Sequence, residues 1–158
     1  MGYSITIGEF EISENPDDGI DCSCLSFGAE SKEIDSAPAF GEPTDRCNMR
    51  WPSYSVWSDC LEHAGMKDLF FCEQGHLIGG HPGVRLITSE LYSEFTDRKV
   101  AFEAKYPKVE ATYGNQKSNF EGDPDNPECN STYCRIIWLD YWLSWALRTC
   151  NTPVIANS

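Results

Sequence analysis

The chain has 158 residues, 41% hydrophobic and 13% aromatic with five Trp, enough apolar material for the core of one domain and too much for wholesale disorder. Its formal charge is −13, and residues 1–45 carry eleven Asp and Glu against the single Lys32, a net −10 of that total. Such a field opposes phosphate backbones and anionic lipid, both of which are bound through Lys and Arg, so nucleic acid and membrane surfaces are excluded as direct ligands.

The simplest role for the charge is a solubilising face. The partner class it leaves open is a basic protein surface, or a DNA-binding site that an acidic surface would occupy as a decoy. The opening MGYSITIGEF has neither a basic n-region nor an apolar h-region, and no apolar run reaches the roughly 18 residues of a membrane span, so a soluble, cytoplasmic protein is expected. Eight Cys without a secretory leader are then expected to be reduced thiols, and the sequon at Asn130 carries no meaning. Gly2 followed by Thr6 matches a myristoylation pattern, but the alternation of Tyr3, Ile5 and Ile7 assigns the segment to a strand.

In chain order, YSITIGEFEI reads as a first strand whose apolar set passes from odd positions (Tyr3, Ile5, Ile7) to even ones (Phe10, Ile12), a phase change that predicts a bulge at Gly8. ENPDDG is a turn, and IDCSCLSF is a second strand pairing back on the first. Residues 28 to 52 read as irregular. PSYSVWSDCLEHAG is a helix with Tyr54, Trp57, Leu61 and Ala64 on one face and Gly65 at its end. TSELYSEFTDRKVAFEAKYP is a helix opened by Thr88 or Ser89, with Leu91, Phe95 and Phe102 inward and Pro107 closing it.

Residues 108 to 130 read as loop. From Ser131 to Cys150 the chain is apolar on nearly every side except an i, i+4 stripe of Asp140, Ser144 and Arg148, which predicts a central, mostly buried helix. Trp138, Trp142 and Trp145 belong to its core face, since no basic residues interleave with them as a nucleic-acid stacking platform requires. The order of strand patterns before helical ones predicts a single α+β domain: a small antiparallel sheet from the N-terminal third packed by about three helices, the aromatic C-terminal one central.

All three His lie between residues 60 and 83. Cys60-x-x-His63 and Cys72-x-x-x-His76 offer two short-spaced pairs of zinc donors, with His81 as a further candidate. The gap between the pairs is shorter than in a zinc finger, Cys60 sits on the core face beside Trp57 and Leu61, and the apolar LFF before Cys72 accounts for a buried thiol. The expectation is therefore no metal and no cofactor, with Cys60, His63, Cys72 and His76 as the alternative ligand set. A Cys72 nucleophile with His76 or His81 as base lacks an orienting third group and an oxyanion hole. GHLIGGHPGV has the glycines of a phosphate loop without its Lys and Ser or Thr, and reads as a surface loop closed by a turn at Pro82 and Gly83. Asp123, Asp125 and Glu128 lack the spacing of a calcium loop, and Asp59 with His63 reads as an exposed helical ion pair.

Taken together, YSITIG, APAF, WPSYSVWSD, GHPGV and the aromatic helix running into NTPVIANS resemble a group of small bacteriophage and prophage proteins of unknown activity. The resemblance implies expression in a bacterial host, where small accessory viral proteins bind and block host factors, and it transfers no catalytic residue. The expected function is that of an acidic anti-defence protein that binds and inhibits a host protein with a basic surface. A protein that sequesters a small molecule or nucleotide, or a zinc- or Cys/His-dependent hydrolase, is the alternative. The contact residues expected are Asp17, Asp18 and Asp21 with His76, His81 and Arg85 of the loop from Gly75 to Arg85.

Overall fold

A computed structural model of the chain describes residues 5–11, 25–26, 28–38, 54–73, 83–109 and 128–157. The described strands are β1 (Ile5–Phe10), β2 (Leu25–Ser26), β3 (Gly83–Leu86) and β4 (Pro153–Asn157). The described helices are α1 (Ser31–Ser36), α2 (Tyr54–His63), α3 (Lys67–Phe70), α4 (Ser89–Lys105) and α5 (Glu128–Thr149). The strands form one sheet in the order β2-β1-β4-β3, antiparallel at each pairing, so the architecture is α+β as the strand and helix patterns predict.

The N-terminal third supplies half of that sheet. β2 pairs back on β1 as expected, but the place beside β1 on its other edge is taken by β4, and β3 completes the sheet from within the segment read as loop. The expected bulge at Gly8 does not form. The register runs unbroken from Ile5↔Asn157 to Glu9↔Pro153, and the Phe10 N–H continues it by donating to the Thr152 carbonyl at 2.9 Å. The phase change has another cause. Both sheet faces are covered here, with Ile5, Ile7 and Ile155 buried on one and Val154 and Ala156 on the other, so apolar residues are wanted at odd and even positions alike.

The helices follow from their end signals. Thr88 caps α4, its Oγ1 accepting from the Leu91 N–H at 3.1 Å, and Leu91, Phe95 and Phe102 are the buried residues of that helix. α2 ends in a Schellman arrangement: the Gly65 N–H donates to the Glu62 carbonyl, the Met66 N–H to the Leu61 carbonyl, and Gly65 has φ +69. A side chain at Gly65 would meet open space but would be strained by that φ. Met66, fully buried, then turns the chain directly into the single turn of α3. α1 occupies part of the stretch read as irregular. Its first turn is tied by the Glu33 carboxylate, which accepts from the Glu30 N–H at 2.7 Å.

α5 is the central element. Of its residues 131–149, Tyr133, Ile136, Trp138, Leu139, Trp142, Leu143, Trp145 and Ala146 all lie in one apolar cluster with Ile7 and Ile155 of the sheet, Trp57 and Leu61 of α2, and Phe95 and Phe102 of α4. The indoles pack edge to face, Trp57 on Trp138 with centroids 5.7 Å apart and Trp142 on Trp145 at 5.3 Å. They are core residues, as the sequence pattern predicts. Among the described residues no helix is long and apolar enough to cross a membrane.

Candidate functional site

The turn between α2 and α3 opens a cleft of about 460 Å³. The Schellman turn at Gly65 reverses the chain so that Glu62, at the end of α2, and Asp68 and Lys67, at the start of α3, face one space. Phe71, which is buried, and the half-buried Cys72 complete the lining with the exposed Glu73. Arg98 of α4 braces this turn from outside. Its Nη1 donates to the Gly65 carbonyl at 2.8 Å, its fork engages both Asp68 oxygens, and its Nε donates to Glu94 at 3.0 Å. The bond from Arg98 holds the Asp68 carboxyl below the usual carboxylate range, and the same bond pushes the Arg98 guanidinium up. Lys67 and Glu62 lie 3.6 Å apart across an exposed pair that contributes little stability.

The charges of the cleft are therefore uneven. Its lining holds three carboxylates against one ammonium; Arg98 engages both oxygens of Asp68 and Lys67 faces Glu62, which leaves Glu73 as the lining carboxylate with no cation beside it among the described residues. An apolar floor at Phe71 under a carboxylate rim suits a long cationic side chain, whose methylenes pack below while its head meets the acids.

The zinc-donor pairs read from the sequence do not converge among the described residues. Cys60 and His63 are on one helix but engage different neighbours. The Cys60 Sγ lies 3.7 Å from the Ser131 Oγ of α5, while the His63 ring stacks on Tyr106 at 5.6 Å and meets Phe102 edge to face at 5.9 Å. Cys72 lines the cleft. No group of three or more His, Cys, Asp and Glu able to hold a metal ion is present among the described residues, and His76 and His81 lie outside them. Asp17, Asp18, Asp21, Asp123 and Asp125 also lie outside the described residues, whereas Glu128 opens α5.

Arg85 belongs to strand β3 and not to a loop. Across the sheet it pairs with Ile155, which pairs in turn with Ile7, so it stands on the core-facing side of the sheet. The register places its neighbour Leu86 on the opposite side, and that residue is 52% exposed. The Arg85 Nη1 is buried without a hydrogen-bond partner among the described residues, and desolvation pulls the guanidinium down from its ordinary value.

Two arrangements escaped sequence reading. The brace of Arg98 on Asp68 joins residues 30 positions apart, and the network around Asp140 joins α5 to α4: the Tyr92 hydroxyl donates to Asp140 Oδ1 at 2.6 Å and Lys99 Nζ lies 2.6 Å from Oδ2. The polar stripe on α5 was the available signal for the second. Nothing local marks either Tyr92 or Arg98.

Burial pushes the Cys134 and Cys150 thiols from the usual 9.0 up to about 11, desolvation being the main cause at both, with Arg135 opposing it at Cys134 and Glu9 adding to it at Cys150. A thiol whose folded pKa is raised stabilises the fold fully below its unfolded pKa. That contribution should fade as pH rises from 9.0 toward about 11. In the native protein at about pH 8, iodoacetamide should leave Cys134 and Cys150 unmodified while labelling Cys72 in the cleft. Peptide mass mapping reads this directly, and equal labelling of Cys134 and Cys72 would contradict it.

No family model matches this chain, and no curated protein or solved structure shows detectable similarity to it.

Proposed function

We infer that the protein is a binding module that docks a basic segment of a partner protein in the cleft between α2 and α3 and thereby blocks the partner. The observation that carries this reading is the cleft itself: a carboxylate rim of Glu62, Asp68 and Glu73 over an apolar floor, large enough for a Lys or Arg side chain. Braced by Arg98, the turn enters binding already ordered, which lowers the entropy cost of the complex. The net charge of −13 supports the same reading, since clustered acid accelerates encounter with a basic surface. The resemblance to small phage proteins supports a bacterial host protein as that partner, in an anti-defence role within the host cytoplasm.

Capture from bacterial lysate on the immobilised protein, followed by kinetics on the captured partner, tests the reading. Association should slow by about tenfold or more between low salt and roughly 0.5 M salt, where charges are screened over only a few ångströms. Glu62→Gln with Glu73→Gln should accelerate dissociation by removing the rim. Asp17, Asp18 and Asp21 changed together to Asn should slow association and leave dissociation nearly unaltered. Association indifferent to salt, or a double Gln variant with wild-type kinetics, would overturn it.

A further inference from the structure

Arg148 lies in the last turn of α5. Among the described residues Lys32, Lys67, Arg98 and Lys99 each hold a carboxylate, whereas Arg85 and Lys105 form no ion pair of that kind. Arg148 holds none: its Nε donates to the Ser144 carbonyl at 3.2 Å, an i−4 contact within its own helix, and no ion pair to a described residue engages the guanidinium.

That guanidinium borders a groove of about 230 Å³ between α5, α4 and the residues after α1, lined by Tyr92, Ile137, Asp140, Tyr141 and Ser144 as well as Arg148 itself. Asp140 is the one carboxylate in the lining, and it is already engaged on both oxygens, by the Tyr92 hydroxyl and by Lys99. Tyr141 is fixed too, its hydroxyl donating to the Glu33 carbonyl at 2.6 Å, so its ring forms a rigid wall beside Ile137. The groove thus has an uncompensated positive charge at one end, an apolar wall, and a Ser144 hydroxyl between them.

We propose that this groove is a binding site for a small carboxylate with an apolar body, the carboxylate meeting the Arg148 fork and the body lying against Ile137 and Tyr141. A guanidinium presents paired donors that match the two oxygens of a carboxylate. The volume lies below the roughly 300–1,000 Å³ of sites for drug-sized ligands, which excludes a nucleotide and restricts the occupant to on the order of ten non-hydrogen atoms. The net negative charge of the protein does not forbid an anion here, because fields from distant charges are screened beyond about 8 Å at physiological salt. The site is separate from the cleft between α2 and α3 and does not depend on it.

Benzoate is the probe, with neutral benzamide and inorganic phosphate as comparators. In an NMR titration of the whole protein, benzoate should give saturable shifts at Ile137, Tyr141 and Ser144. Benzamide, of the same shape without the charge, should bind at least about tenfold more weakly. Arg148→Met, which keeps the stem of an exposed residue, should lose at least about tenfold in benzoate affinity with an unchanged melting curve, and Arg148→Lys should fall between. The proposal is overturned if benzoate fails to saturate, or if Arg148→Met binds it like the wild type. Benzamide binding equally well would remove the charge from the argument, and phosphate binding as tightly as benzoate would remove the apolar wall. Either result overturns it as stated.

Discussion

Trp138→Ala should lower the free energy of unfolding by about 3–5 kcal/mol, the range for removing a large aromatic side chain from a packed core. Trp138 is 0% exposed, sits in the middle of the helix on which α2, α4, β1 and β4 pack, and packs its indole edge to face on Trp57 of α2. The substitution removes apolar burial from α5 and at the same time strips Trp57 of its neighbour, so the cavity has rigid walls on two helices and cannot collapse cheaply. Against a total stability of roughly 5–15 kcal/mol for a domain, a loss of that size brings the folded state close to its limit. Urea unfolding followed by circular dichroism measures it, with an unchanged slope confirming that the same transition is observed. Trp138→Phe should cost only part of this, and Arg148→Met, at the exposed end of the same helix, should stay within about 0.5 kcal/mol of the wild type. A Trp138→Ala protein as stable as Arg148→Met would mean that α5 is not the centre of the core.

The contrast between what the chain declares and what it conceals follows from the range of the interactions involved. α4 was legible because its signals are local: Thr88 bonds the N–H three residues on, and Leu91, Phe95 and Phe102 recur at helical spacing. α5 was legible for the same reason, as an apolar stretch broken by one stripe. α1 was not, because its six residues SKEIDS have no apolar period and are held by a capping box between Glu30 and Glu33 and by the distant Tyr141 hydroxyl on the Glu33 carbonyl. β3 was not, because its four residues GVRL put Arg85 on the core-facing side and leave Leu86 exposed, the reverse of the pattern by which a strand is recognised. β4 was not, because a strand covered on both faces loses the alternation by which strands are recognised. In β4, Val154, Ile155 and Ala156 are all buried, a run that reads equally well as the end of the preceding helix.

The candidate sites divide in the same way. The segment from Cys60 to Gly83 stands out in the sequence for its thiols and imidazoles. In the fold Cys60 and His63 turn to α5 and α4, and the space that Cys72 lines is shaped instead by Gly65, Asp68 and the distant Arg98. The stripe of Asp140, Ser144 and Arg148 was visible as a polar face on an apolar helix. That it borders a groove, with Asp140 neutralised and Arg148 not, depends on Tyr92 and Lys99, some forty residues earlier in the chain.

Ile155→Pro should abolish cooperative folding, or cost at least about 3 kcal/mol if a fold survives, because it strikes the strand on which the sheet is organised. β4 lies between β1 and β3, and Ile155 is paired with Ile7 on one side and Arg85 on the other. A strand with neighbours on both sides commits each N–H to one of them, so proline there leaves a carbonyl unpaired inside the sheet, in addition to removing a buried side chain. The damage should spread unequally. β1 would keep its pairing with β2, whereas β3, whose only pairing among the described strands is with β4, would lose its anchor and release Arg85 to water. Native-state hydrogen exchange separates these effects: a surviving fold should show exchange at the β3 amides rising far more than at α5. Ile155→Val, which deletes one methyl group and leaves the backbone intact, should cost only about 0.5–1.5 kcal/mol and keep β3 protected. If the proline variant melted like the valine variant, β4 could not be the strand that joins β3 to β1. The sheet would then be held from the helices alone.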